Sequence, residues 1–364
     1  MAREGRAQDL YDLATIRDIE NQTATSAGID LGDAVGPWWN PPAYAWAFAP
    51  LSALSFNHAL LVWTSINLAA AGFAAWLLGR IVTPAGGPDR ALLALLLFAS
   101  APFLQSVTHG QNSAISLLIV AGAVTAWRRG ADFAAGVCVG LLGYKPQLAA
   151  ALGVVLVLHR GRRAFAGLAL VGAVVLLLTP ATMPGALADY FRRLPQNLHA
   201  IQVESTYLWE RHVTLKGFWR LLLQGRGAGE TLPVTHTLTM LSAAPLLAGL
   251  AFATFRARSA DALIPATLAA APLLMPFYFD YDLLLLAAAA ALATSPRRRT
   301  VALWSALYLW LFVNPYLAGA MRLNLTVPLL YGLAASLLMT ALRRETVESS
   351  DPLPLSQPAL AKAA

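Results

Sequence analysis

The chain has 364 residues, of which 57% are hydrophobic and only 12% are charged. Ordinary soluble domains carry about 25% charged residues, so this composition excludes them. The net charge of +7 does not indicate a nucleic-acid partner, because the arginines lie in small groups between apolar runs. The single cysteine, Cys138, lies inside an apolar run, which excludes a disulfide framework and a thiolate metal site.

The N-terminal segment, residues 1–56, contains neither a spanning helix nor a signal-peptide pattern. The stretch Gln8–Asp12 is a candidate helix N-cap. It leads into a predicted short helix that ends near Gln22, before a loop rich in Thr, Gly and Asp. The stretch Trp38–Tyr44 places two prolines among aromatic residues, which is typical of an interfacial or re-entrant segment.

Apolar runs of about 20 residues recur along the rest of the chain and predict an all-α polytopic membrane protein. Several runs are shorter, which suits helices that bend or end at the interface. The predicted spans cover 57–80, 91–108, 112–127, 131–144, 147–159, 164–181, 233–255, 260–276, 282–295, 300–318 and 325–342.

One apolar run, from Ala131 to Leu158, contains a lysine followed by a proline, Lys145 and Pro146. A lysine at membrane depth costs roughly 2.5–3.5 kcal/mol. The proline removes a helical N–H. The run therefore predicts two spans that meet at a break. The ammonium group either snorkels to the interface or holds an anionic group at the membrane surface.

The connecting loops predict the orientation of the bundle. Arginines are concentrated in one set of loops, whereas the opposite short loops carry only Lys145 and Arg322. The positive-inside rule places the arginine-rich set in the cytoplasm. The predicted organisation is an external segment over 1–56, a bundle over 57–343 with an external loop at 182–232, and a disordered cytoplasmic tail over 344–364.

An odd number of spans with a cytoplasmic C-terminus places the N-terminal segment outside the cell. Two explanations remain open. In the first, one span is missing upstream of Met1, and the chain is a truncated form of a twelve-span protein. In the second, Met1 is the true start and the first span inserts with its N-terminus outward.

The candidate polar groups lie on the predicted outer side of the bundle. Each of them also has a purely structural explanation as an alternative to a functional role. Gln111 and Asn112 are candidates to cap the following helix. Asp282 is a candidate cap for its own span. Arg211 and His212 are candidates for a solvated helix face. The middles of the spans are nearly free of charge, which favours an interfacial enzyme over a transporter.

The chain shows no Walker loop, dinucleotide-binding fingerprint or zinc-protease motif. We therefore expect no nucleotide cofactor and no metal ion.

Six motifs occur in an order that resembles a known family. They are Gly5–Asp12, Trp39-Asn40-Pro41-Pro42 leading to Ala49-Pro50-Leu51, Trp63, Gly110-Gln111-Asn112, Ala135-Gly136 leading to Tyr144-Lys145-Pro146, and Tyr281-Asp282-Leu283. In this order they resemble family 87 glycosyltransferases, which have the GT-C fold and include polyprenyl-phosphate-mannose-dependent mannosyltransferases.

The resemblance implies a bacterial plasma-membrane enzyme that works by inverting transfer. A hexose, commonly mannose, leaves a polyprenyl phosphate and joins a hydroxyl of a lipid or cell-envelope glycan acceptor on the outer face. Such a reaction needs a carboxylate base and cations or dipoles that hold the leaving phosphate. The family carries its base in an Asp-Phe segment after the first span, which here would lie upstream of Met1. Asp9 and Asp12 are the nearest remaining acids.

The resemblance also implies roles for particular side chains. Lys145 is the first candidate for holding the donor phosphate, and amides and aromatic rings are candidates for binding the sugar, lipid or acceptor. The candidate substrate-binding residues are Lys145, Gln111, Asn112, His109, Arg211, His212, Arg322, Trp39, Tyr44 and Asp282.

Two other classes of protein remain open. A transporter or flippase of lipid-linked substrates would place acids or broken helices at mid-span. A catalytically inactive paralogue would keep the bundle but have a binding or scaffold role.

Overall fold

The structure is a computed structural model that describes residues 1–32, 34–82, 88–257, 259–293 and 298–348. Within these ranges the chain is helical and contains no β-strand. One isolated antiparallel bridge joins His212 to Phe279. Each segment predicted as a span is mostly helical where it is described, which confirms an all-helical fold.

Fifteen α-helices are described, and short 3₁₀ turns connect several of them. In chain order they are α1 (Leu13–Ser26), α2 (Phe56–Val82), α3 (Pro88–Phe98), α4 (Ala101–Thr108), α5 (Ser113–Arg128), α6 (Asp132–Leu141), α7 (Pro146–Arg160), α8 (Arg162–Thr182), α9 (Ala186–Gln202), α10 (Leu215–Gln224), α11 (Pro233–Arg256), α12 (Ala260–Leu274), α13 (Leu286–Ala293), α14 (Arg298–Met321) and α15 (Thr326–Glu348).

Three of the described helices, α2, α8 and α11, are long and apolar enough to cross a membrane. A fourth candidate is the pair α3 and α4, which is bent by 48° at the break between them. Ser100 explains the break, because its side chain caps α4 at Phe103 N and Pro102 lies in the first turn. Several other helices are apolar but shorter, so the count of eleven spans stays a prediction.

The structure differs from the sequence prediction in three places. Helix α1 continues to Ser26, where side-chain hydroxyls bond back to the preceding turn. The predicted external loop at 182–232 contains two helices, α9 and α10. Helix α15 continues to Glu348, past the predicted end of the bundle. Two arginines of the arginine-rich loops lie outside the described residues, Arg258 and Arg297, and so do residues 349–364 of the predicted tail.

Helices α6 and α8 cross with their backbones almost in contact. A Cβ at Gly136 would lie 2.0 Å from the carbonyl oxygen of Ala164, and one at Gly167 would lie 2.1 Å from that of Phe133. Close backbone approach through small residues is a common way for helices to pack in membranes. The Ala135-Gly136 motif is therefore explained by packing.

Two ion pairs join helix ends at one end of the bundle. Arg128, the last residue of α5, donates to both carboxylate oxygens of Asp261 in the first turn of α12, at 2.5 and 2.8 Å. Arg160, the last residue of α7, donates to Asp132 at the start of α6, at 2.6 Å. The opposite ends of these four helices therefore lie together at the other end of the bundle.

Candidate active site

A cavity of about 190 Å³ opens at that other end, where α5 and α7 begin and where α6 and α12 end. Among its described lining residues only Lys145 and Asp282 are charged. The lining consists of Trp39, Asn40, Gln111, Asn112, Tyr144, Lys145, Pro146, Gln147, Leu148, Leu194, Leu198, Ile201, Gln202, Tyr207, Met275, Phe277, Tyr278, Phe279, Tyr281 and Asp282.

Lys145 and Asp282 form an ion pair in the cavity wall. The lysine Nζ donates to Asp282 Oδ1 at 2.5 Å, and Ser113 Oγ donates to the same oxygen at 2.6 Å. The lysine and aspartate side chains are only 18% and 12% exposed. The other carboxylate oxygen, Oδ2, has no hydrogen-bond partner among the described residues. The pair thus presents both an ammonium group and a carboxylate oxygen at the cavity.

The local backbone explains how the lysine reaches this position. Lys145 directly precedes α7, and its carbonyl oxygen accepts the first helical bond from Ala149 N at 3.0 Å. Pro146 occupies the first helical position, where its missing N–H costs nothing. The predicted break between two helices is confirmed, and it places the ammonium group at the end of the bundle rather than at mid-span.

An aromatic stack supports the cavity floor. Tyr144 and Tyr44 lie face to face with ring centroids 4.7 Å apart. The Tyr144 hydroxyl hydrogen-bonds to Ser116 Oγ at 2.8 Å. The Tyr44 hydroxyl accepts from Asn112 Nδ2 at 3.0 Å. Asn112 precedes α5 but makes no side-chain cap, so its amide serves the cavity wall instead.

Helix α9 forms the apolar wall of the cavity. Leu194, Leu198 and Ile201 are spaced at i, i+4 and i+7, which places them on one face of the helix, and all three line the cavity. The cavity lining therefore has two kinds of surface: one carries the ion pair and amides, and the other is aliphatic.

Tyr11, which is fully buried, ties α9 to the cavity wall. Its hydroxyl donates to the carbonyl of Asn40 at 2.7 Å, and its own carbonyl accepts from Asn197 Nδ2 at 2.9 Å. Asn40 lines the cavity and Asn197 belongs to α9. The Gly5–Asp12 motif thus docks the N-terminal segment beneath α9.

The two acids of that motif lie outside the cavity lining. Asp12 caps α1 by accepting from Thr15 N at 2.9 Å, and it pairs with Arg193 at 2.6 Å. These contacts, first the Thr15 amide and then the Arg193 guanidinium, lower the pKa of the Asp12 carboxyl. Asp9 pairs with Arg6 at 2.8 Å. The structure thus shows Asp12 as the helix cap that the sequence pattern allowed.

A second polar cluster lies beside the cavity mouth. Arg211 donates to both carboxylate oxygens of the buried Asp280, at 3.1 and 2.8 Å, and its Nη1 lies 3.0 Å from His109 Nε2. Because arginine only donates, His109 Nε2 accepts, and its Nδ1 donates to the Gln105 carbonyl at 2.7 Å. The Arg211 guanidinium thus joins Asp280 to His109 beside the cavity.

His212 lies behind this cluster and is fully buried. Its Nε2 hydrogen-bonds to the Tyr207 hydroxyl at 2.9 Å. Its ring packs on Phe279 at 4.4 Å. Burial, reinforced by the charges of Lys216 and Arg211, lowers the pKa of His212 to about 3. The interpretation of Arg211 and His212 as a solvated helix face is therefore wrong.

The structure thus divides the sequence-predicted site residues into three groups. Five line the cavity, four contact residues of the cavity lining from behind or beside it, and three lie elsewhere. The lining group is Lys145, Asp282, Gln111, Asn112 and Trp39; the supporting group is Tyr44, His109, Arg211 and His212; the distant group is Asp9, Asp12 and Arg322.

Arg322 illustrates the distant group. Its backbone has φ 54°, and its side chain lies beside Gly225, at which a Cβ would be 3.3 Å from the guanidinium Nε. Arg322 directly follows α14 and Gly225 directly follows α10, and neither residue belongs to the cavity lining.

Two features of the site were not found from the sequence. Ser113 was not recognised, because its partner Asp282 lies 169 positions away in the chain. The apolar stripe of α9 carried a signal, since Leu194, Leu198 and Ile201 have amphipathic helical spacing. A periodicity count over the external loop would have revealed it.

Comparisons with known proteins give one positive result. The model of glycosyltransferase family 87 matches residues 38–276. Neither the curated proteins nor the solved structures gave a match. The matched region contains most of the cavity lining, including Lys145 and the stripe of α9. The chain belongs to glycosyltransferase family 87.

Proposed function

We propose that this membrane glycosyltransferase uses a polyprenyl-phosphate hexose as its donor. The hexose, which we take to be mannose, passes with inversion to a hydroxyl of a lipid or cell-envelope glycan acceptor on the outer face of the membrane. No cofactor or metal ion takes part in the proposed reaction.

The observation that carries this proposal is the two-sided cavity. A polyprenyl-phosphate sugar has an anionic head and a long apolar tail. Lys145 offers an ammonium group, with hydrogens free for a phosphate, at one wall. Leu194, Leu198 and Ile201 offer an aliphatic surface at the other. A soluble nucleotide-sugar donor would make no use of that surface.

The lysine would act on the leaving group. As the bond between the hexose C1 and the phosphate oxygen breaks, negative charge grows on the phosphate, and a fixed cation stabilises it. Gln111 and Asn112, which also line the cavity, would hydrogen-bond the sugar or phosphate. Trp39 offers an aromatic face for the sugar or the acceptor.

The proposed sidedness rests on the two ends of the helices. The cavity lies where α5 and α7 begin, and Arg128 and Arg160 lie where these helices end. The positive-inside rule places the arginine end in the cytoplasm and the cavity outside. We propose a multi-pass protein of the bacterial plasma membrane with about eleven spans and a cytoplasmic C-terminus.

The proposed organisation follows the same division. Residues 1–56 form an external segment docked on the bundle, residues 57–343 form the bundle with its external loop at 182–232, and the region from 344 onward is the cytoplasmic tail.

The test is transfer of radiolabelled mannose from undecaprenyl-phosphate mannose, in membranes of the source organism from which the native gene has been deleted. The protein is supplied as wild type or as Lys145→Ala. Removing the cation should reduce transfer on the order of 10²-fold or more, because one fixed group facing developing charge contributes that much. The amount of protein inserted in the membrane should stay the same.

Arg129→Ala is the matched control. It removes an exposed cation at the opposite end of the bundle and should leave transfer unchanged. Undiminished transfer by Lys145→Ala would remove this lysine from the mechanism. Movement of the labelled lipid across the bilayer by wild type, without sugar transfer, would support the transporter class instead.

A further inference from the structure

Three parts of the bundle meet at the carboxylate of Asp282. Its Oδ1 accepts from Ser113 Oγ at 2.6 Å, and Ser113 is the first residue of α5. The same oxygen accepts from Lys145 Nζ at 2.5 Å, at the break between α6 and α7. Asp282 itself lies in the turn that precedes α13. One oxygen therefore ties the ammonium group to the start of α5 and to this turn.

Asp282 is held in place through both its side chain and its backbone. Its side chain is only 12% exposed, and its partner Ser113 is fully buried. The Asp282 carbonyl accepts from the Tyr278 hydroxyl at 2.9 Å, and the Asp282 N–H donates to the Phe279 carbonyl at 3.1 Å. A residue fixed at these points can hold a flexible neighbour in one place.

Lys145 is such a flexible neighbour. Its ammonium group lies at the end of an unbranched chain, and fixing a lysine side chain in one conformation costs about 1.5–2 kcal/mol of conformational entropy. Among the described residues, Asp282 is the hydrogen-bond partner of Lys145 Nζ. Without this partner the ammonium group is free to leave the cavity wall and to snorkel towards water.

We propose that Asp282, supported by Ser113, is a positioning residue that fixes the ammonium group of Lys145 before the donor binds. This assignment rests on the proposed function. A cation stabilises developing charge most when it already faces the place where that charge grows, because no reorganisation is then needed during the reaction. Asp282 contacts no reacting atom in this role. The acceptor proton goes to another group, in keeping with the family resemblance, which implies a base in a segment after the first span.

The positioning contact opposes donor binding. A phosphate on Lys145 would share the ammonium group with Asp282, and two hydrogen bonds of about 2.8 Å separate the two anions by at most about 5–6 Å. Like charges at this distance repel each other. Removing the carboxylate should therefore slow transfer while phosphate binding stays the same or tightens. A carboxylate that only stabilises the fold would weaken both, so the two readouts separate positioning from a structural role.

The experiment measures transfer and donor-site affinity in Asp282→Ala and Asp282→Asn. Transfer is measured with the membrane assay described above, and affinity with undecaprenyl phosphate on the full-length protein in nanodiscs. Asp282→Ala should slow transfer by about 10–100-fold, because a misplaced group costs up to about 10² in rate. Its affinity should be at least that of wild type. Asp282→Asn should transfer faster than Asp282→Ala, because the amide oxygen still accepts both hydrogen bonds.

A double variant tests whether Asp282 acts through the lysine. Residues that act as a unit have non-additive effects. Once the ammonium group is gone, removing its positioning residue should cost nothing further, so Lys145→Ala/Asp282→Ala should transfer no less than Lys145→Ala. A further loss in the double variant would overturn the assignment. Lower affinity together with slower transfer in Asp282→Ala, or an Asn variant no faster than the Ala variant, would overturn it as well.

Ser113→Ala takes the place of Asp282→Ala if that variant does not insert in the membrane. It keeps the ion pair but removes the support of the carboxylate, so transfer should fall while affinity is kept. The loss should again disappear in a Lys145→Ala background. Full transfer by Ser113→Ala, or an additive loss with Lys145→Ala, would contradict the assignment.

Asp261→Ala is the matched control, because it removes a carboxylate paired with Arg128 at the far end of the bundle. Both of its readouts should equal wild type. The proposed function fails separately: if wild type neither binds undecaprenyl phosphate nor transfers mannose from it, the donor is wrong. If wild type does both and only the Asp282 variants disagree, the donor stands and the positioning role falls.

Discussion

At the scale of single residues, the charged groups at the cavity end of the bundle differ in how many of their hydrogens are free to bind a ligand. Arg211 gives its hydrogens to Asp280 and His109, so its charge is used inside the protein. Lys145 uses one hydrogen on Asp282 and borders open space. Lys145 is the first candidate for holding the donor phosphate in the sequence analysis, and it stands out there as a lysine within an apolar run. The pairing with Asp282 could not be predicted, because hydrophobic periodicity is local and the two residues lie 137 positions apart.

The buried His212 should make the stability of the protein depend on pH. Its pKa of about 3 in the folded protein lies below the ordinary 6.5, so the unfolded chain takes up a proton that the folded chain excludes. Stability is full above pH 6.5 and is lost as the pH falls towards 3. The free energy of unfolding should fall by up to about 1.4 kcal/mol per pH unit.

The measurement is the thermal or denaturant stability of purified protein between pH 6.5 and pH 5. This window lies above the ordinary pKa of 3.8 for Asp12, a carboxyl of the N-terminal segment whose pKa is lowered. His212→Asn should be less stable at pH 7, because the Tyr207 bond is lost, but its pH slope should be shallower than that of wild type. Parallel slopes would show that His212 does not titrate as described.

At the scale of elements, the sequence predicted where helices occur better than how they meet. The break at Lys145 and Pro146 followed from proline chemistry, and the cap at Asp12 followed from the preference of aspartate for helix starts. The docking of α9 through Tyr11 was not predictable, because each of its hydrogen bonds runs from a side chain to a main-chain carbonyl, which carries no sequence signal. The sequence therefore did not predict how α9 comes to form the apolar wall of the cavity.

The crossing of α6 and α8 provides a test at this scale. Gly167→Ala would place a Cβ 2.1 Å from the carbonyl oxygen of Phe133, and backbone atoms on both sides must move to relieve the contact. Overpacking of this kind costs about 1–3 kcal/mol, and more where the neighbour is rigid. The melting temperature in detergent should fall clearly.

Gly172→Ala on the same helix is the control, because its Cβ would meet nothing within 4 Å. It should keep the melting temperature of wild type or raise it slightly, since alanine favours a helix over glycine. Equal losses in the two variants would mean that the crossing is looser than the structure shows.

At the scale of the whole molecule, the two ends of the bundle are chemically different. At the arginine end, ion pairs such as Arg128 with Asp261 join the helix ends. At the cavity end, the ammonium group of Lys145 lines a cavity whose apolar wall is formed by α9. The proposed lipid-linked donor and glycan acceptor would both reach such a site most directly at a membrane surface. The functional proposal therefore depends on which surface of the membrane the cavity faces.

Cysteine labelling decides this orientation. In a Cys138→Ser background, single cysteines replace Glu204 in the external loop and Arg129 at the arginine end, both of which are exposed. A membrane-impermeant maleimide added to intact spheroplasts should label Glu204→Cys and spare Arg129→Cys until the membrane is opened. The reverse pattern would mean that the cavity faces the cytosol and that the positive-inside rule does not hold for this protein. Transfer onto an outer-face acceptor would then be impossible for this site, whatever the residues in its wall.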